Sequence, residues 1–139
     1  EMSRRALRWV GAVAAGCCII GVPACSRAPS QADMHGTYAA CYPQAREVLI
    51  LKADGKFRQT VVLASSAKTN EAMGTWRYDC TNRHIVFDGY YMAVLDGFGR
   101  LGSNWDRPSD GIFIFPVRAK FGRITIDAND EVVYRKLRK

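Results

Sequence analysis

The sequence predicts an all-β fold: a single small antiparallel up-and-down β-barrel of about eight strands, preceded by an N-terminal signal segment. After residue 35, apolar and β-branched runs of five to nine residues alternate with Gly, Asn and Asp. No window sustains the 3.6-residue period of an amphipathic helix. Because most connections between the runs are short, consecutive strands should pair with each other and the sheet should close into a barrel.

The strands follow one another at short intervals. In chain order they are predicted at GTYAAC, REVLILK, FRQTVVLA, MGTWRYD, HIVFDGYYMAVL, GIFIFPVR, RITIDA and EVVYRKL. Asp54-Gly55 between the second and third runs is the strongest kind of short-range hairpin signal. Further turns are predicted at residues 80–83, 121–122 and 129–130. Pro116 has no amide N–H to donate, so it should lie at a sheet edge or a bulge.

The alternation of side chains along each run predicts which of them line the barrel. Successive residues of a strand point to opposite faces, so apolar residues two apart share the interior face. The predicted interior residues are Leu49, Leu51, Phe57, Val61, Leu63, Trp76, Tyr78, Ile85 and Phe87.

The first 24 residues have the layout of an export signal. Arg4, Arg5 and Arg8 precede the uncharged residues 9–22, and small residues follow. This apolar run has 14 residues, whereas a membrane-spanning helix needs about 20, so removal is expected rather than retention. The organisation predicted is a signal peptide at 1–24, a lipid-anchored linker at 25–35 and a barrel domain at 36–139.

The stretch Val22-Pro23-Ala24-Cys25 resembles the lipobox of bacterial lipoproteins, in which the cysteine sulfur is lipidated and the chain is cut just before it. The resemblance implies that Cys25 becomes the lipidated first residue and attaches the protein to a membrane. Ser26 resembles the sorting pattern of outer-membrane rather than inner-membrane lipoproteins, which implies a periplasm-facing protein. The alternative is ordinary cleavage after Ala24, which would leave Cys25 unmodified.

The glycine-aromatic stretches GTY and GTW, together with LKADGKF, resemble those of lipocalin-like and related small β-barrel domains of bacterial envelope proteins. This resemblance covers most of residues 36–136 and implies the barrel fold.

The charge of the chain does not indicate nucleic-acid binding. The formal net charge is +7, and without residues 1–24 it becomes +5, from 17 basic and 12 acidic residues. Four of the positive charges lie in the last five residues, so the body of the domain is nearly neutral. We expect no nucleic-acid partner. The basic tail is either a solvated strand end or a contact for anionic lipid head groups.

Two cysteines remain after the signal and the lipidation site are set aside. Exported chains with two spare thiols usually bridge them, so a Cys41–Cys80 disulfide is predicted, with a stabilisation of about 4 kcal/mol. In a simple meander the two lie at opposite rims, roughly 20 Å apart, whereas a disulfide needs about 6 Å between Cα atoms. The disulfide therefore requires the N-terminal segment to cross the barrel end. Zinc held with His35 and His84 is the alternative.

No catalytic constellation is evident. The chain has two histidines and lacks GxSxG, HExxH and a glycine-rich phosphate loop, so we expect neither an enzyme nor a cofactor or metal site. Acidic residues stand mainly in turns, where their side chains bind nearby backbone. Asp96, Asn104, Asp106 and Asp110 are possible calcium ligands, but their spacing fits no EF-hand.

Residues 96–111 form the one long connection. A loop of this length is commonly functional or mobile, and it carries residue types enriched at binding hot spots, Phe98, Trp105 and Arg107. These three residues are the predicted binding site. The alternative is a loop folded over one barrel mouth, with Trp105 as its plug.

These features predict a non-enzymatic outer-membrane lipoprotein whose periplasmic barrel binds a protein partner of the envelope. YDC followed by HIVFDG is similar to lysozyme-inhibitor lipoproteins, which implies a partner of the inhibitor or immunity type. Two alternatives stay open: a lipocalin-like carrier of a small apolar ligand, and an accessory lipoprotein of an envelope assembly.

Overall fold

The computed structural model describes residues 27–103 and 105–139. Cys25 and the predicted signal peptide lie outside the described residues. Eight antiparallel strands close into a barrel in which each strand pairs with its neighbours in the chain and β1 pairs with β8, so the predicted fold is confirmed. The strands are β1 (Gly36–Tyr42), β2 (Ala45–Leu51), β3 (Lys56–Leu63), β4 (Thr69–Asp79), β5 (His84–Tyr91), β6 (Ser109–Lys120), β7 (Arg123–Asp127) and β8 (Val133–Lys136).

The up-and-down topology gives the barrel two distinct ends. The connections after β1, β3, β5 and β7 gather at one end, which includes the long connection 92–108 and is called the loop end. The connections after β2, β4 and β6 gather at the other end together with residues 27–35 and 137–139. This second end is called the tail end.

A short helix that the sequence did not predict closes the tail end. Helix α1 (Gln31–Met34) is capped by Ser30, whose hydroxyl oxygen accepts a hydrogen bond from the Asp33 amide while the Asp33 carboxylate accepts from the Ser30 amide. The Met34 side chain is fully buried, and the Tyr38 hydroxyl donates to the Met34 carbonyl over 2.6 Å. Gln31 reaches across to β4 and accepts a hydrogen bond from the Tyr78 amide over 2.7 Å.

The interior is filled mainly by apolar and aromatic side chains. Every residue that strand alternation placed inside the barrel is buried, which confirms that prediction. Phe57 and Phe87 meet edge to face with ring centroids 4.8 Å apart, and Phe87 stacks on Tyr91 at 5.8 Å. Such aromatic pairs fill the volume that a carrier barrel of this size would leave for a ligand.

The barrel wall opens along the loop-end half of β6. The ladder between β6 and β7 runs only from Val117, opposite Ile126, to Lys120, opposite Arg123, because β7 has five residues and β6 has twelve. Residues 109–116 of β6 therefore pair with β5 alone. This gap between β6 and the β7–β8 connection is called the seam. Pro116 is the last residue of β6 along the seam, next to Val117, where pairing with β7 begins. This position agrees with the expected edge position.

The predicted disulfide is wrong. Cys41 and Cys80 are both free and exposed. Cys41 stands near the loop end of β1, whereas Cys80 follows β4 at the tail end, because the two strands run in opposite directions. The N-terminal segment does cross the barrel end, as the disulfide would have required, but it does so as α1, before β1 begins. Cys41 therefore stays on an ordinary first strand.

Candidate functional site

A cluster of polar side chains is buried inside the barrel near the loop end. It consists of Glu47, Gln59, Tyr42, Tyr91 and Tyr134 and is called the Glu47 cluster. Glu47 and Gln59 are almost completely buried, and they occupy interior positions of β2 and β3 between apolar neighbours. A buried carboxyl group is costly unless hydrogen bonds compensate it, so its partners decide what it can do.

The carboxylate of Glu47 is held by three donors. The Tyr42 hydroxyl donates to Oε1, while the Tyr134 hydroxyl and the Gln59 amide, at 2.9 Å, donate to Oε2. Gln59 also bridges to the start of the long connection, since its Nε2 donates to the Met92 carbonyl and its Oε1 accepts from the Met92 amide. The cluster thus ties the 92–108 connection to β2 and β3.

Burial dominates the ionisation of this cluster. Desolvation raises the pKa of Glu47, and the hydrogen bonds from Tyr134, Tyr42 and Gln59 oppose that rise without reversing it. Burial likewise raises the pKa of Tyr42, Tyr91 and Tyr134, and the neighbouring Glu47 carboxylate adds to the effect. The tyrosines therefore remain hydrogen-bond donors and are poor proton acceptors near neutral pH.

A small cavity connects the Glu47 cluster with the seam. Its volume is 90 Å³, and it lies between Glu47, Tyr91, Phe113 and Phe115 on one side and the β7–β8 connection on the other. Ligand pockets for drug-sized molecules occupy about 300–1,000 Å³. The cavity is therefore much smaller than a pocket for a drug-sized molecule.

The long connection contains an ordered hairpin tip. Leu95 pairs with Leu101, and the Asp96 carboxylate accepts hydrogen bonds from the Phe98 amide at 2.8 Å and the Arg100 amide at 3.2 Å. Gln44 in the β1–β2 connection donates to the Gly99 carbonyl over 2.5 Å. The Phe98 side chain projects from this tip and is 80% exposed.

The other two predicted binding residues differ in their surroundings. Trp105 is half-buried and packs on a second apolar cluster under the loop end, formed by Ala45, Val61, Leu63, Ala72, Met92 and Val94. Lys68 lies 5.5 Å from the centre of the Trp105 ring and forms an ion pair with Asp106 at 3.7 Å. Arg107 is exposed beside them. Trp105 is thus held by contacts within the chain, whereas Phe98 and Arg107 are exposed.

The part of the chain that the structure describes brings no three His, Cys, Asp or Glu side chains together as a metal site. Asn104, one of the possible calcium ligands, lies outside that part. None of the helices in the same part is both long and apolar enough to span a bilayer.

Sequence reasoning missed the Glu47 cluster, although the signal was present. Glu47 stands in phase with Leu49 and Leu51, and Gln59 stands in phase with Phe57 and Val61. A polar residue on the interior phase of a strand predicts a buried hydrogen-bonding site. That the two side chains meet, and that they meet three tyrosines, depends on the register of the closed barrel.

Comparison with protein-family models, with curated proteins and with solved structures finds no match for this chain.

Proposed function

We propose that this chain is a non-enzymatic lipoprotein of the bacterial envelope, anchored through Cys25, whose barrel domain binds a protein partner with its loop end. The observation that carries the proposal is the Phe98 hairpin tip. A large apolar side chain stands 80% exposed on backbone that the Asp96 carboxylate and Gln44 already hold in place. An ordered tip loses little conformational entropy on binding, so most of the contact energy of Phe98 would go into affinity.

The packed interior favours this function over that of a lipocalin-like carrier. Aromatic side chains fill the barrel centre, and the cavity beside Glu47 measures 90 Å³. An apolar ligand there would also meet a buried carboxyl group, which an apolar molecule cannot hydrogen-bond. Binding at the outer surface of the loops needs no such cavity.

The placement of titratable groups supports a non-enzymatic role. Glu47 lies near the loop end, whereas His35 and His84 stand at the tail end, after α1 and at the start of β5. No histidine is thus within hydrogen-bonding reach of Glu47 to work with it as an acid–base pair. The three hydrogen bonds to Glu47 instead give it a structural role, because they hold Gln59, which in turn holds the start of the long connection.

The sequence pattern that ends at Cys25 supports membrane anchorage, and the position of the first described residues sets the orientation that an anchor would give. Arg27, two residues after Cys25, lies at the tail end of the barrel. A chain anchored there would turn its loop end, with Phe98 and Arg107, away from the membrane. The proposal places the protein at the outer membrane, facing the periplasm, with an inhibitor-type or immunity-type partner.

Photo-crosslinking in the host tests the proposal. A benzoylphenylalanine replacing Phe98 should give a discrete protein adduct, whereas the same group replacing Phe121, which is 86% exposed at the tail end, should not. With the partner purified, Phe98→Ala should weaken binding about 30-fold, the equivalent of a hot-spot loss of about 2 kcal/mol. The unfolding midpoint should stay unchanged, because the Phe98 side chain has few intramolecular contacts.

Trp105→Ala serves as the matched comparison for Phe98→Ala. Its half-buried ring packs on the second apolar cluster, so its removal should cost about 2 kcal/mol of stability and leave the affinity per folded molecule almost unchanged. Equal affinity of the Phe98→Ala variant and the wild type for the crosslinked partner would refute recognition by the hairpin tip.

A further inference from the structure

The tail end of the barrel carries a basic cleft of 1170 Å³ between residues 27–37, the β6–β7 turn and the C-terminal tail. Six basic side chains line this cleft, against the single carboxylate of Asp33. They are Arg27, Arg123, Arg135, Lys136, Arg138 and Lys139.

Within the described part of the chain, most of these positive charges have no ion-pair partner. The ion pairs found among residues 27–103 and 105–139 join Lys68 with Asp106 and Arg118 with Asp127, and neither involves a residue of the cleft. The Asp33 carboxylate is engaged by the amide and hydroxyl of Ser30, which lowers its pKa. Among the residues that the structure describes, Lys136 is the one cleft side chain with a hydrogen-bond acceptor, the Asp33 carbonyl. The cleft is therefore a concentration of uncompensated positive charge that would attract an anionic group.

Two exposed apolar side chains stand at the same end of the barrel. Phe121, in the turn between β6 and β7, is 86% exposed, and Leu137, just after β8, is 50% exposed. Phe121 has a φ of 50°, and Gly122 follows with a φ of 71°. A left-handed backbone is unfavourable for a bulky residue, and turns of this kind favour Asn or Asp before Gly. Backbone strain of this kind is concentrated at functional sites, so the strain at the exposed Phe121 suggests that its side chain contacts a binding partner.

We propose that the tail end docks on an anionic membrane, with phospholipid phosphates in the basic cleft and with Phe121 and Leu137 in the interfacial layer. The combination of basic side chains and exposed apolar ones on a single surface matches what binds an anionic bilayer. This inference deepens the proposed function and rests on its membrane anchorage, since an anchor two residues before Arg27 would hold the cleft against the lipid surface. Docking would fix the orientation of the barrel and point the Phe98 tip outward.

Lipid photo-crosslinking of the full chain tests the docking. The protein, purified from the membrane fraction with benzoylphenylalanine in place of Phe121, is reconstituted into vesicles of phosphatidylcholine alone or mixed with phosphatidylglycerol. After illumination, mass spectrometry measures the lipid adduct at residue 121. The adduct should be about tenfold more abundant with phosphatidylglycerol, because each Lys or Arg near an anionic surface strengthens binding about fivefold. The same group in place of Phe98 should give little lipid adduct in either vesicle.

Charge reversal at the two ends supplies matched variants. Arg123→Glu combined with Arg138→Glu should reduce the adduct at residue 121 at least about tenfold, whereas Arg100→Glu with Arg107→Glu at the loop end should leave it unchanged. Arg138→Glu with Lys139→Glu, which lie beyond the last strand, should act in the same direction without disturbing the barrel. Equal adduct yields in neutral and anionic vesicles, or equal effects of the two end-specific pairs, would overturn the docking.

The mass of Cys25 in the same samples separates this inference from the anchor. An acylated Cys25 without a lipid adduct at residue 121 would refute the docking and leave the lipoprotein proposal standing. An adduct at residue 121 with unmodified Cys25 would support the docking and refute the lipid anchor.

Discussion

The residue with the most unusual surroundings is Glu47, a carboxyl group inside an otherwise apolar barrel. In the folded protein, burial raises its pKa, with Tyr134, Tyr42 and Gln59 opposing the rise. In the unfolded chain the same group titrates in the ordinary glutamate range. Between the two pKa values the folded state binds more protons than the unfolded state, so the free energy of unfolding falls as the pH rises through that interval.

Glu47→Gln removes this titration. The wild type should lose stability as the pH rises above the ordinary glutamate range, by up to about 1.4 kcal/mol per pH unit, and the variant should lack that part of the slope. Urea denaturation from about pH 4 to about pH 8 measures the difference. Glu131→Gln, at an exposed glutamate near the same end, is the control for the loss of one carboxyl group. If the free energy of unfolding varied with pH in the same way for the wild type and Glu47→Gln, a raised pKa of Glu47 would be contradicted.

Phe121 is the second residue that departs from local preference. Phe121→Asn places Asn-Gly in a turn where both central residues have positive φ, which is the preferred pair for a type I′ hairpin. We expect stability to rise by about 1 kcal/mol, because a left-handed conformation costs a bulky residue about 1–2 kcal/mol. Thermal unfolding measures this change. Phe98→Asn, at the other exposed phenylalanine, should change stability by less than about 0.5 kcal/mol, and a destabilised Phe121→Asn variant would refute the strain.

At the scale of elements, β4 and β5 come unusually close at a pair of glycines. Gly74 and Gly89 face each other across the ladder, and a Cβ at Gly74 would lie 2.3 Å from the Asp88 carbonyl oxygen and 2.8 Å from the Phe57 ring. The ring of Phe57 thus packs directly on the backbone of the neighbouring strand. Glycine, which has no Cβ, permits this close approach of ring and backbone.

Gly74→Ala should destabilise the barrel by about 3 kcal/mol, since neither the backbone of β5 nor the buried Phe57 ring can move freely. Gly111→Ala on β6 is the matched control. The nearest atoms to a Cβ there belong to the Phe113 ring at 3.8 Å, so its effect should be within about 1 kcal/mol. Urea midpoints of the two variants compare them directly. Similar midpoints for the two variants would show that a Cβ at Gly74 is accommodated without loss of stability.

At the scale of the whole molecule, the two ends have different roles in the proposals. The loop end carries the ordered Phe98 tip and, beneath it, the Glu47 cluster. The tail end carries α1 and the basic cleft. Cys41 lies towards the first end and Cys80 at the second. The stability of the fold therefore depends on barrel closure and packing rather than on a covalent bridge.

Both thiols should react with an alkylating reagent in the native state, because both are exposed. A reducing agent should leave the unfolding midpoint unchanged, whereas a disulfide that closed this loop would have contributed about 4 kcal/mol. Cys41→Ser and Cys80→Ser should each shift stability by less than about 0.5 kcal/mol. Mass measurement after alkylation under non-reducing conditions counts the free thiols. If neither Cys41 nor Cys80 were alkylated, the two would be paired in a disulfide.

Properties that depend on neighbours along the chain could be derived from the sequence alone. The two-residue alternation identified the interior side chains from Leu49 to Phe87, and short Gly, Asn and Asp turns indicated eight strands paired in chain order. Contacts between distant segments could not be derived in this way. Three features follow from the register and direction of the strands in a closed barrel. They are the contact of Glu47 with Tyr134, the seam that begins next to Val117 and the separation of Cys41 from Cys80. A shift of one residue in any ladder would turn those side chains to the opposite face, and nothing local in the sequence reports that register.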